Sequence, residues 1–219
     1  MDKPKIEPSQ KYIYIVFISS PTGIGKTIRF FTRNLYSHVA VSFEKNLGSM
    51  YSFARYYKNI PFFGGFIEES ILRYSLYDAD SIPIKICAIP VSDQKYKEAV
   101  AYINFIKENS AQYIYNSFSM VLALFHKRVH IGQAFTCLEF ANSVLSECGI
   151  SEEIKPDRYY SIADVENILK DFVIYEGDLW DYDCAKDWGS DLFYLKSSKR
   201  KALQCTIKQF YTLTKRLIG

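Results

Sequence analysis

The sequence predicts an α+β protein in which an antiparallel sheet packs on helices and a cysteine stands at a helix N-terminus. Three observations carry this expectation. β-branched and aromatic runs of strand length fill the chain up to residue 91; helix signals dominate from residue 92; and "FTCLEFANSVL" places Cys137 at the opening of an amphipathic segment.

Residues 12 to 18, "YIYIVFI", form a strand-length run that ends in a turn through Pro21, Gly23 and Gly25, with a short helix from Lys26 to about Arg33. "HVAVSF" (38 to 43) and "MYSFARY" (50 to 56) are two further strands. "EKNLGS" between them has the length and composition of a hairpin. "KNIPFFGGFIEESILRY" contains Pro61 and the pair Gly64-Gly65 and reads as a loop, followed by a Pro-bounded strand at "PIKICAIPV" (83 to 91). Ser92-Asp93 then caps a helix in which Tyr96, Val100, Ile103, Phe105 and Ile106 recur at helical spacing, and 113 to 125 reads as apolar and partly helical. The Cys137 helix runs to Glu147 and stops at Gly149; Ser161 with Asp164 three residues on begins another. A single domain follows, with a core over residues 11 to 150 and a helical extension over 151 to 219.

Bulk properties narrow the function classes only at the margins. A formal charge of +3 over 219 residues, with 23% charged, gives no reason to expect a nucleic-acid partner. "MDKPKIEPSQ" has no secretory apolar core, and "SMVLALF" falls well short of the roughly 20 residues of a membrane span, so a cytoplasmic location is expected. The five cysteines, Cys87, Cys137, Cys148, Cys184 and Cys205, show no CxxC pairing and are expected to be reduced thiols, with neither a metal nor a cofactor implied. Aromatic residues make up 16% of the chain, which suggests a core or groove walled with rings.

"SSPTGIGKT" resembles a phosphate-binding loop in its strand-to-helix context. The Walker pattern needs glycine at its first position, where this chain has Ser20, and the elements that follow are a hairpin and a loop instead of a repeated crossover. A nucleotide-binding reading over Ser20 to Thr27, with Lys26 on phosphate, is therefore the lesser alternative. The simpler reading is a turn, with Lys26 and Arg29 on a solvated helix face.

Cys137 is the more promising group. A helix N-terminus carries partial positive charge and unpaired amides, which favour a thiolate and can hold a developing oxyanion. A nucleophilic thiol needs a base, and the chain has three histidines. His126 and His130 lie in the basic segment "FHKRVH", whereas His38 opens a strand, where an imidazole can be held rigidly. A hairpin closing around Lys45 and Asn46 sets residues 52 to 54 opposite His38, and Ser52 is the polar group there best placed to orient the ring.

The order of "YSHVAVSF", "MYSFARYY" and "FTCLEFANSVL" resembles the circularly permuted papain-like fold of the YiiX-type, NlpC-related cysteine hydrolases of bacteria and the lecithin:retinol acyltransferase relatives. The resemblance covers about residues 11 to 150. It implies Cys137 as nucleophile, His38 as general base and a thioester intermediate formed from a peptide, isopeptide or lipid acyl substrate. Relatives place His, Glu, Gln or Asn at the third position, where the hairpin offers Ser52. The loop "YYKNIPFFGGFIEE" would then stand beside the site, with Phe62 and Phe63 as an apolar substrate wall. A non-catalytic binding module on the same fold is the main alternative, and the basic residues from Lys199 to Arg216 are either a solvated helix face or a contact for an acidic membrane surface.

Overall fold

The computed structural model describes residues 6–7, 9–75, 79–149, 154–155, 158–184 and 197–218. Its strands are β1 (Lys11–Ile18), β2 (His38–Ser42), β3 (Met50–Arg55), β4 (Gly64–Glu69), β5 (Pro83–Val91), β6 (Ile114–Tyr115), β7 (Ala134–Phe135) and β8 (Val173–Asp178). Its helices are α1 (Gly23–Thr32), α2 (Leu72–Ser75), α3 (Asp93–Glu108), α4 (Ser117–Leu122), α5 (Cys137–Glu147), α6 (Ile162–Ile168) and α7 (Lys199–Ile218). Among the described residues the strands form one sheet in the order β7-β6-β4-β3-β2-β1-β5-β8, antiparallel at every pairing except β6 with β7. The α+β expectation therefore holds.

β1 and β5 are interior strands, each flanked on both sides, and both of their faces are apolar. Ile13, Ile15 and Phe17 enter one core, and Tyr14, Val16 and Ile18 enter a second core on the opposite face. The first core is the larger. It takes Phe140, Ala141, Val144 and Leu145 from α5 and Ala99, Ile103 and Ile106 from α3, all at helical spacing and all buried. The caps read from sequence are formed: Ser92 accepts from the Lys95 amide, and the Ser161–Asp164 pair closes a reciprocal capping box.

Three features differ from the sequence reading. Residues 64 to 69, taken as loop, are β4, paired with β3 from Met50–Glu69 to Arg55–Gly64. The glycines that suggested a loop serve close backbone approach instead: a Cβ on Gly64 would stand 2.1 Å from the Ala54 carbonyl oxygen. α1 starts at Gly23, three residues early, because the Thr22 side chain caps it by accepting from the Gly25 amide. β2 returns antiparallel to β1, so the strand–turn–helix around Gly25 is not the parallel crossover of a phosphate loop. Finally, the stretch after 150 is not a purely helical extension. β8 forms one edge of the sheet, and α7 buries Leu213 against Ile131 and Ala134. Residues 151–153, 156–157, 185–196 and 219 of that stretch lie outside the described residues. No helix among the described residues is long and apolar enough to cross a membrane.

Candidate active site

Cys137 is held at the first turn of α5 by its cap. Thr136 accepts from the Glu139 amide at 3.2 Å, and the Glu139 carboxylate accepts from the Thr136 amide at 2.7 Å. That box occupies the amides of Thr136 and Glu139. The amides of Cys137 and Leu138, which no helical carbonyl can reach, are left at the helix mouth beside the sulfur. Cys137 is 9% exposed and lines a pocket together with His38, Tyr115, Ser20 and Arg73. The structure thus brings Cys137 and His38, a hundred residues apart in the chain, to one site.

His38 is nearly buried, its side chain 12% exposed. Burial opposes its protonation, but the Glu69 carboxylate and the charge and hydrogen bonding of Cys137 outweigh that, raising the imidazole from 6.5 to about 10. Its Nε2 lies 2.7 Å from Oε1 of Glu69, which leaves Nδ1 for the sulfur. Glu69 is fully buried; despite the burial that would raise it, His38 first, then Arg73 and Ser52, hold its carboxyl below the usual range. The Arg73 Nε is 3.5 Å from Oε2, the Tyr74 hydroxyl donates to the same oxygen at 3.1 Å, and Arg73 also donates to the Arg55 carbonyl.

Ser52 does not orient the imidazole. β2 and β3 pair only at Val41–Tyr51 and Ser42–Met50, so the hairpin does not carry Ser52 to His38, and the group that meets the ring comes from β4. The Ser52 hydroxyl is buried, and its influence falls on Glu69, where its hydrogen-bonding interaction is the weakest of the causes lowering that carboxyl. Nothing local marks Glu69, because the glycines of its strand read as a loop; the signal available is a pair of acids closing the short apolar run in "GFIEE".

Tyr115 was also missed. It is buried beside Cys137, and desolvation, followed by the charge of Cys137, raises its phenol far above the ordinary range, so it stands as an O–H donor. Desolvation pushes Cys87 and Cys148 up to about 12 and Cys184 to about 11, values at which they are protonated and unreactive near neutrality. The Phe62–Phe63 loop does not wall the site: Phe62 packs on Phe210 of α7, and Phe63 lies against Tyr56 and Tyr57. His126 and His130 are exposed, and neither lines the pocket that His38 shares with Cys137, although His126 lines an adjoining cleft that also reaches Cys137. No group of three or more side chains able to hold a metal ion occurs among the described residues.

The loop that resembles a phosphate site forms one wall of this pocket. Ser20, Thr22, Ile24 and Gly25 line it, and Arg29 donates to the Ser20 carbonyl at 2.5 Å and to the Ser37 hydroxyl at 3.2 Å, which fixes the residue before His38. Arg29 is thus committed to the fold, not to a solvated face.

Compared with models of known protein families, with curated proteins and with solved structures, the chain finds no match.

Proposed function

We propose that the protein is a cysteine hydrolase or acyltransferase on a permuted papain-like fold, with Cys137 as nucleophile, His38 as general base and Glu69 as the residue that orients and charges the imidazole. The observation that carries this reading is the line of sulfur, imidazole and buried carboxylate at the mouth of α5, since each member does what a thiol nucleophile requires of it. In the first step Sγ attacks the carbonyl carbon of an amide or ester while His38 holds the thiol proton. The developing oxyanion meets the amides at the α5 mouth and the Tyr115 hydroxyl. The C–N or C–O bond then breaks, the departing atom takes the proton from His38, and a thioester remains. Water or another acceptor, deprotonated by His38, releases the acyl group and restores the thiol.

Alkylation by iodoacetamide, mapped to each cysteine across pH, tests this directly. Cys137 labels fast at pH ~6, where an ordinary thiol of pKa ~8.5 is almost wholly protonated, and His38→Ala removes that labelling. If Cys137 reacts no faster than Cys87 or Cys148, the nucleophile assignment fails and the protein is a binding module.

A further inference from the structure

A second, larger cleft meets the catalytic pocket at Cys137. Its volume is about 200 Å³, and its apolar wall includes Ile28, Met120, Ala123, Leu124, Leu138 and Ile162. Such a wall accepts a fatty acyl chain or the side chains of a peptide equally well, and one atom distinguishes them. Asn142 lines this cleft, and its Oδ1 is buried with no hydrogen-bond partner among the described residues. The cations at the cleft are differently placed: Arg128 acts on the Glu139 carboxylate, and Arg158 lies over the Tyr160 ring at 5.6 Å. An acceptor buried without a donor is costly, and an acyl chain seated over it leaves it so, whereas an amide N–H completes it.

Resting on the catalytic reading above, we propose that Asn142 makes this cleft specific for an aminoacyl or peptidyl acyl group, by accepting a hydrogen bond from a substrate amide. Asn142 lies one helical turn beyond Leu138, on the same face of α5. It stands five residues past the nucleophile, roughly 7.5 Å along the axis at the α-helical rise. An extended chain advances about 3.5 Å per residue, so the N–H that meets it belongs about two residues upstream of the scissile carbonyl. The substrate is then at least a dipeptidyl unit with apolar side chains, and a simple fatty acyl group is disfavoured.

Three p-nitrophenyl esters of matched length decide this: acetyl-alanyl-alanine, the same compound with both amide nitrogens methylated, and octanoate. In each, Sγ adds to the ester carbonyl, the C–O bond breaks with p-nitrophenolate keeping the electron pair, and water hydrolyses the thioester to the free acid and thiol. The inference expects kcat/KM for the unmethylated peptide to exceed the other two by tenfold or more. Asn142→Leu abolishes that preference and raises the octanoate rate, while Asn142→Asp, which keeps an acceptor, retains it. Octanoate or the methylated peptide turned over as well as the unmethylated one by the wild type overturns the inference while leaving the Cys137 assignment intact. Turnover of none of the esters, with Cys137 slow to alkylate, instead marks failure of the catalytic reading. Calorimetric titration with acetyl-alanyl-alanine methylamide and with octanamide then decides the cleft: binding of the peptide alone supports the inference, and binding of octanamide equally, or of neither, overturns it.

Discussion

His38 stands between two partners with separate tasks: Cys137 exchanges a proton with it, and Glu69 holds its orientation and its charge. Replacing Glu69 by Gln keeps the shape and removes the charge, so the imidazolium loses its main support. Glu69→Gln is expected to slow Cys137 alkylation at pH ~6 and ester turnover by about 10²- to 10⁴-fold, whereas Ser52→Ala, which removes the weakest of the groups lowering Glu69, leaves both within a factor of about two. Stability carries the same signature. The folded pKa of His38 is raised, so its pairing stabilises the fold in full below about pH 6.5 and is lost as pH rises through about 10. The folded pKa of Glu69 is lowered, so its contribution is present above the ordinary carboxylate range and lost as pH falls through its depressed value. Urea unfolding of the wild type should therefore weaken by on the order of 2 kcal/mol between pH ~7 and ~10, with the slope flattened in Glu69→Gln; a flat wild-type profile would refute the charged pair. Cys137 and His38 were legible in sequence because each sits at a marked position, a helix start and a strand start. Glu69 was not, because its pairing with the imidazole crosses from β2 to β4, and no local pattern encodes a contact between strands that are not neighbours.

At the scale of elements, helix boundaries are legible where a cap announces them, as at Ser92 and Ser161, since capping is a local hydrogen bond between residues three apart. Strands were read poorly where glycine stands for close approach. β4 shows this in the sheet, and Gly25 shows it in α1. A Cβ on Gly25 would lie 2.5 Å from the Ser20 carbonyl oxygen and 3.0 Å from the Ser37 hydroxyl, the two groups that Arg29 ties together beside His38. A glycine that looked like part of a nucleotide signature is thus explained by a helix pressed against the turn that precedes it. Gly25→Ala is expected to destabilise the protein by roughly 1–3 kcal/mol, as overpacking does, and to slow Cys137 alkylation by displacing the strand start that carries His38. Equilibrium urea unfolding and the alkylation rate check the two effects. An unperturbed Gly25→Ala protein would mean that the turn is free to move and does not position the site.

Across the whole molecule, the groups of the site come from β2, β4, β6 and the mouth of α5, and something must hold those separate elements in register. Packing of α5 on the first core fixes Cys137 against the sheet, but β6 is only two residues long and meets β4 at the single pair Gly65–Ile114. α7 supplies the missing fastening. Its buried Gln209 donates to the Tyr115 carbonyl at 2.7 Å and to the Gly64 carbonyl at 3.3 Å, joining the strand that bears Tyr115 to the strand that bears Glu69. Gln209→Leu fills similar space and leaves both carbonyls without this donor, which should cost about 1–3 kcal/mol in urea unfolding. Its effect on chemistry separates two steps. Alkylation by iodoacetamide forms no oxyanion and depends on the sulfur and imidazole alone, so its rate at pH ~6 should change little. Turnover of acetyl-alanyl-alanine p-nitrophenyl ester passes through an oxyanion that Tyr115 is positioned to receive, so kcat should fall about tenfold or more. Equal loss in both assays would mean that α7 supports the whole fold without discrimination; loss in neither would mean that Tyr115 is held by the sheet alone.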